Sequence, residues 1–185
     1  MTTRLRAVFD FIWDISKIIV VSLIIIIPIR YYVVQPFFVR GASMEPNYHQ
    51  GDYLLVDEIS YRFNSPQRGE VIIFRFPGNP SQFYIKRIIG LPGETVTIDE
   101  GTVIIKESED GQGFELKEDY LDTVDTSGNL EITLSDSEYF VLGDNRSASH
   151  DSRRWGPLGE NFIIGKVFLR AWPFDQFDLI EAPNY

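Results

Sequence analysis

The most continuous apolar segment of the chain lies near its N-terminus, where 15 of the 20 residues from 15 to 34 are apolar. A helix of this length rises about 30 Å, the thickness of the hydrocarbon core of a membrane. Lys17 and Arg30 lie near opposite ends of the run, where long side chains can reach the headgroups. The pattern predicts one transmembrane helix over residues 15–35.

Positive charge sets the expected orientation of this helix. Arg4, Arg6 and Lys17 favour a cytoplasmic N-terminal segment, residues 1–14, and place the chain from residue 36 onward on the other side of the membrane. Two alternatives remain open. A cleaved signal peptide would need a small-residue cleavage site, whereas this run ends in Tyr-Tyr-Val-Val-Gln-Pro-Phe-Phe. A buried core helix would need a partner layer, and the β-rich remainder does not require one.

After Pro46 the pattern changes to short segments that are β-branched or aromatic and are separated by Gly, Pro, Asn and Asp. Strands are predicted at 53–56, 70–76, 83–89, 95–98, 102–105, 131–134, 139–142 and 165–170. No long helical period occurs in this part of the sequence. The pattern therefore predicts an all-β, antiparallel domain with partly closed sheets over residues 36–185, carried on one helix.

Charge is unevenly distributed along the 185 residues. The net charge is −10, and residues 99–138 hold 13 acidic residues against Lys106 and Lys117. Residues 106–130 within this region resemble an acidic surface excursion between strands, and such charge runs are usually solvated. No basic patch indicates a nucleic-acid partner. Cysteine is absent, which excludes a disulfide framework, a thiolate nucleophile and a cysteine metal site.

A candidate nucleophile follows directly after the apolar run. Ser43 lies in a short loop between Gly41, which lets another backbone approach closely, and Pro46, which stiffens the bend. The alternative is an ordinary turn serine that caps its own backbone.

The sequence offers two kinds of general base for this serine. His49 is near Ser43 in sequence, but no carboxylate at a recognisable spacing would orient it. Lys86 lies within an otherwise apolar strand, with Arg87 expected on the opposite face. Burial could lower the pKa of Lys86 enough to make it a base, and the alternative is an edge-strand lysine that discourages aggregation.

Four motifs, together with the strand that begins after Gly51-Asp52, follow one another behind the apolar run. They are Ser43-Met44-Glu45-Pro46, RGEVIIF at 68–74, YIKRIIGLPGE at 84–94 and GDNRSASHDSRRWG at 143–156. In this order, with the preceding anchor and over about residues 15–170, they resemble the boxes of the bacterial type I signal peptidases. The last motif alone would also suit a loop tied down by Asp–Arg pairs.

The resemblance implies a membrane-anchored endopeptidase with a Ser–Lys dyad and without a metal or cofactor. Ser43 would be the nucleophile, Lys86 the general base, and Ser149 the serine that hydrogen-bonds the lysine amine. Asp151, Arg153 and Arg146, all in the fourth motif, would form a structural charged network. The Ser43 backbone N–H would serve the oxyanion hole, and Gly41 stands where some members supply a second donor from a serine side chain.

The resemblance also implies the partners and the location. Substrates would be pre-proteins that carry signal peptides, bound as an added strand at the outer face of the inner or plasma membrane, next to lipid and near the secretion translocon. Shallow pockets that admit alanine-sized side chains would be lined by candidates Val39, Met44, Tyr84 and Ile85.

Two rival functions are compatible with such a fold. A self-cleaving Ser–Lys protease of the repressor type would need a DNA-binding module, whereas the N-terminal run predicts a membrane span. A catalytically silent, membrane-anchored adaptor would not need both dyad residues, and both are present.

Overall fold

The computed structural model describes residues 2–32, 34–108, 111–121, 126–183 and 185, and the side chains of residues 2–7, 27–32 and 34 are not described. The chain begins with helix α1 (Thr2–Tyr32) and continues into the first strand. Helix α1 begins at Thr2, ahead of the apolar run, because residues 2–14 contain neither Pro nor Gly that would stop a helix. Within the described residues, no helix combines the length and hydrophobicity needed to cross a membrane.

The rest of the chain consists mainly of strands. They are β1 (Val34–Phe38), β2 (Tyr53–Asp57), β3 (Val71–Phe76), β4 (Asn79–Gly90), β5 (Thr95–Asp99), β6 (Thr102–Lys106), β7 (Phe114–Glu115), β8 (Leu130–Thr133), β9 (Glu138–Leu142), β10 (Leu158–Gly159), β11 (Ile163–Trp172) and β12 (Asp178–Leu179). One short helix, α2 (Ser152–Trp155), and 3₁₀ turns at Ser60–Arg62, Glu160–Phe162 and Phe174–Gln176 lie between them.

The strands form two antiparallel sheets. The larger has eight strands in the order β1-β2-β11-β3-β4-β9-β10, with β12 paired to β11, and the smaller has the order β7-β6-β5-β8. Side chains of both sheets share one core, because Ile89 and Phe140 from the large sheet pack with Val96 and Ile105 from the small one. The predicted all-β, antiparallel fold class is confirmed.

Strand β4 lies inside the large sheet, between β3 and β9, and this position determines the surroundings of its two cationic side chains, Lys86 and Arg87. The side chains of successive residues point to opposite faces of a strand. Lys86 and Arg87 are both buried, at 3% and 4% exposed, so each face of the sheet receives one positive group. The edge-strand interpretation of Lys86 is therefore wrong.

Two features of the fold differ from the sequence prediction. Strand β1 was not predicted, because Pro36 and its aromatic neighbours do not alternate with polar residues. It pairs with β2 at the edge of the sheet, where a proline is tolerated. The acidic region 106–130 is not purely a surface excursion, because Leu116, Glu118 and Leu121 are buried in it.

Candidate active site

The loop between β1 and β2 holds Ser43 in a fixed, half-buried position. Met44 and Tyr48, which are 1% and 2% exposed, anchor this loop in the core. Backbone bonds close it: the Tyr48 N–H donates to Met44 O at 2.9 Å, and the Val39 N–H donates to Asp52 O at 2.9 Å. Gly41 has φ +87°, a conformation that side chains with a Cβ rarely adopt, and open space beside it.

The structure brings Ser43 and Lys86 together from positions far apart in sequence. The Lys86 Nζ lies 2.7 Å from Ser43 Oγ and also donates to the Ile85 carbonyl oxygen at 2.7 Å. The second bond fixes the direction of one N–H, so a neutral amine can turn its lone pair to the serine hydroxyl. His49, the other candidate base, is exposed, and its backbone N–H donates to Asp52 Oδ2 at 3.0 Å.

Burial makes the charged form of this lysine costly. Desolvation lowers the pKa of Lys86 from 10.5 to about 8, although the Asp151 and Asp144 carboxylates oppose the change by stabilising the cation. The difference corresponds to about 3 kcal/mol against the protonated form. A usable fraction of neutral amine therefore exists near pH 7 to 8.

The Gly143–Ser149 loop packs directly against the nucleophile loop. The Asn145 N–H donates to the Ser43 carbonyl oxygen at 3.0 Å. A Cβ on Gly143 would lie 2.2 Å from Ser149 Oγ and 2.4 Å from Ser43 O, which is closer than real atoms approach. Only glycine therefore allows the two loops to meet in this way.

Ser149 is buried next to this contact, at 3% exposed. Its Oγ makes no well-formed hydrogen bond within the part of the chain that the structure describes, but it lies close enough to the Asp151 carboxylate to help lower the pKa of that group. The predicted bond between Ser149 and the lysine amine is not formed in this structure and stays a prediction.

Buried ion pairs hold the Gly143–Ser149 loop from behind. Arg87 contacts Asp144 through Nε at 2.9 Å and Nη2 at 2.6 Å, and both side chains are at most 5% exposed. Arg153 contacts both oxygens of Asp151 at 2.9 Å, and the Gly143 N–H donates to Asp151 Oδ2 at 3.1 Å. Burial alone would raise the pKa of Asp151, but these bonds outweigh it and lower the pKa below its usual value.

An open cleft of about 730 Å³ lies beside Ser43 and Lys86. Val39, Tyr84 and Ile85, three of the predicted substrate-binding residues, line it. Met44 does not, because the turn after Ser43 carries its side chain into the core. Among the described residues, no cluster of three or more His, Cys, Asp or Glu side chains could hold a metal ion.

Comparisons with known proteins identify the family of the chain. The family model described as "Signal peptidase, peptidase S26" matches residues 12–172. The chain belongs to the signal peptidase family.

Relatives from several bacteria resemble the chain over most of their length. The chain is 38% identical over 178 residues to "Signal peptidase I" of Leptolyngbya laminosa, covering 91% of this chain and 84% of that protein. It is 34% identical over 176 residues to "Probable signal peptidase I-2" of Synechocystis sp., covering 90% and 76%. It is also 32% identical over 179 residues to "Signal peptidase IB" of Staphylococcus aureus, covering 89% and 91%.

Several residues that support the site of this signal peptidase family member were not predicted from the sequence. Asp144 was seen only as part of a turn, although it accepts hydrogen bonds from Arg87 and from Asn47 Nδ2, the latter at 2.9 Å. Glu118 was assigned to solvent, and it is buried against Arg146. The density of paired charges in 143–156 was the available signal, but the partners are distant in sequence.

A substitution at Gly143 tests the contact between the two loops. Gly143→Ala should lower kcat for cleavage of a synthetic signal peptide by about 100-fold, because the new Cβ must displace Ser43 or Ser149. Gly113→Ala is the matched control, since Gly113 has no left-handed φ and a Cβ there comes no closer than 3.0 Å to any atom, at the end of the Ile104 side chain. Equal activity of the two variants, both folded by circular dichroism, would contradict the assigned contact.

Proposed function

We propose that this chain removes signal peptides from pre-proteins, with Ser43 as the nucleophile and Lys86 as the general base. The observation that carries the proposal is the 2.7 Å approach of the buried Lys86 amine to Ser43 Oγ beside an open cleft. The family and the named relatives support the substrate class.

The first chemical step is acyl transfer to Ser43. The neutral Lys86 amine accepts the hydroxyl proton as Ser43 Oγ attacks the scissile carbonyl carbon, and the carbonyl oxygen becomes an oxyanion. When the tetrahedral intermediate collapses, the Lys86 ammonium returns the proton to the leaving amine. A water molecule, deprotonated by the same amine, then hydrolyses the acyl-enzyme and regenerates Ser43.

The oxyanion needs a donor that is already in place. Within the described residues, no backbone carbonyl accepts a hydrogen bond from the Ser43 N–H, so this group is available to the oxyanion. Gly41 has no side-chain donor, and the open space beside it leaves room for the substrate backbone to approach. Ser149 Oγ would orient the amine once a substrate excludes water from the cleft.

The cleft accounts for a preference for small side chains. An extended peptide lying along Val39 and Tyr84–Ile85 adds a strand, and its alternate side chains share one face. The inner side of the cleft is formed by Val39 and Ile85, which are 4% and 9% exposed, together with Leu54 and Ile73. These close-packed side chains limit the depth of the pockets for the substrate residues at −1 and −3, which are the first and third residues before the scissile bond.

Removal of either dyad residue should abolish cleavage of a synthetic signal peptide. Ser43→Ala and Lys86→Ala are expected to lower kcat at least about 10⁴-fold, by analogy with nucleophile and base substitutions in other serine hydrolases. His49→Ala, which alters an exposed histidine of the same loop, should retain activity. Full activity of Lys86→Ala would refute the assignment.

The proposed role of Lys86 also predicts the pH dependence of cleavage. Because only neutral Lys86 is competent, kcat/KM should rise with pH and level off above about 8.

We propose in addition that α1 attaches the chain to a membrane with its N-terminus on the cytoplasmic side. Large apolar side chains of α1 are exposed from Val8 to Ile26. The strands carry a second exposed apolar surface, a row of aromatic residues in which Phe38 lies opposite Tyr53 and Tyr53 lies opposite Trp172 across β1, β2 and β11. Exposed patches of this kind mark interaction or membrane surfaces.

Flotation with liposomes tests this attachment. The full chain should float with the vesicles, and the double variant Ile18→Asp/Ile24→Asp should remain in the aqueous fraction, because both side chains are more than 60% exposed on α1. Phe63→Asp, at an 81% exposed position outside α1, is the control and should float. Parent protein that stays in the aqueous fraction would contradict membrane attachment.

A further inference from the structure

The acidic region between β7 and β8 sends one carboxylate into the interior. Glu118 is 2% exposed, and its side chain is fully buried against Arg146, whose side chain is 3% exposed. The two groups form a bidentate pair in which Arg146 Nη1 donates to Glu118 Oε2 at 2.7 Å and Nη2 donates to Oε1. Neighbouring Asp119, in contrast, is exposed.

The Arg146 guanidinium carries this contact to the active-site loop. Its Nε donates to the Gly143 carbonyl oxygen at 3.1 Å, and its own carbonyl oxygen accepts from Arg153 Nη2 at 2.6 Å. Gly143 in turn is in tight contact with Ser149 and with the Ser43 carbonyl. Glu118 is thus connected to the nucleophile loop through two intermediate residues, Arg146 and Gly143.

A second contact path leads from the same segment to the same place. Tyr120 OH donates to Glu118 Oε1 at 2.6 Å, and the Tyr120 ring lies 4.1 Å from the Arg87 guanidinium carbon. The Tyr120 carbonyl oxygen accepts from Asn47 Nδ2 at 2.8 Å, and Asn47 belongs to the nucleophile loop. The acidic segment and the nucleophile loop are therefore joined by two contact paths, one through Arg146 and one through Tyr120.

Charge is what makes Glu118 hard to replace. A guanidinium is always ionised, and breaking a buried ion pair leaves an uncompensated charge in the interior. Without the carboxylate, Arg146 keeps the neutral acceptors Gly143 O and Thr126 Oγ1, which do not compensate its charge. We expect the guanidinium then to move toward water, and this movement releases the Gly143 carbonyl.

We propose that Glu118 is a positioning residue for the proposed peptidase reaction: through Arg146 it fixes the Gly143 loop, and so the placement of Ser43 and Ser149 relative to Lys86. The inference rests on the proposed function for its kinetic consequence, but not for the coupling of the two loops. It assigns a role to a segment whose composition alone suggests a solvated charge run.

The test compares Glu118→Gln with Asp119→Asn, which removes an exposed carboxylate from the adjacent position. Glu118→Gln keeps the shape and one acceptor but loses the charge. It should lower kcat on a synthetic signal peptide about tenfold per folded molecule and leave KM within about twofold, because Val39, Tyr84 and Ile85, along which the peptide is proposed to lie, are outside the displaced loop. Glu118→Asp, which keeps the charge on a shorter side chain, should recover part of the loss.

Hydrogen exchange of the Asn145 amide gives a readout that needs no catalysis, since this N–H donates to the Ser43 carbonyl. Exchange should accelerate in Glu118→Gln and remain at the parental rate in Asp119→Asn. The double variant Glu118→Gln/Arg146→Met should lose no more kcat than Arg146→Met alone, because both changes break the same link.

Three results would overturn the inference: unchanged kcat in folded Glu118→Gln, faster exchange without any loss of kcat, or additive losses in the double variant. A parent protein that does not cleave signal peptides would instead contradict the proposed function. The exchange measurement then decides the coupling by itself, and an unchanged Asn145 amide would refute it.

Discussion

The proposed chemistry depends on the cost of keeping a positive charge on an amine that has been removed from water. Lys86 is buried on an inner strand, where the surrounding apolar residues cannot solvate an ammonium group. The two nearby carboxylates, Asp151 and Asp144, are themselves neutralised by Arg153 and Arg87. They therefore oppose the desolvation only in part, and the amine is left close to the pKa at which it can exchange protons with a serine hydroxyl.

The ion pairs around the site are better understood as devices that select one arrangement than as sources of stability. Arg87–Asp144, Arg146–Glu118 and Arg153–Asp151 all have a carboxylate side chain that is 0% exposed. Pairing such charges recovers little more than their desolvation cost, whereas removing one partner costs roughly 3 to 5 kcal/mol. A loop held by three such pairs has few alternative positions, which is the requirement for keeping Ser43, Ser149 and Lys86 in register.

How well the sequence predicts each part of this site depends on how far apart in the sequence the interacting residues lie. Local alternation places β2 to β6, β8, β9 and β11, but not β1 or the two-residue strands β7, β10 and β12. The position of Lys86 within an apolar strand points to its burial. The burial of Met44 depends on how the turn after Ser43 packs on the core, which no local pattern contains. Glu118 reads as one more acidic residue in a charged run, because its partner Arg146 is distant in sequence and only the folded chain brings the two together. Pro36 and its apolar neighbours likewise show no alternation, so the strand that they form is recognised only from its pairing with β2.

Direct titration of the Lys86 amine tests the central claim. Carbon-13 labelling at Cε of lysine, followed by NMR over pH 6 to 12, reports the ionisation of each amine, and Lys86→Arg identifies the resonance. The account predicts one lysine that titrates near pH 8, together with a rise in kcat/KM over the same interval. A Lys86 resonance that titrates at about 10.4, as in unperturbed lysine, in a protein that cleaves its substrate at full rate at pH 7, would contradict the account.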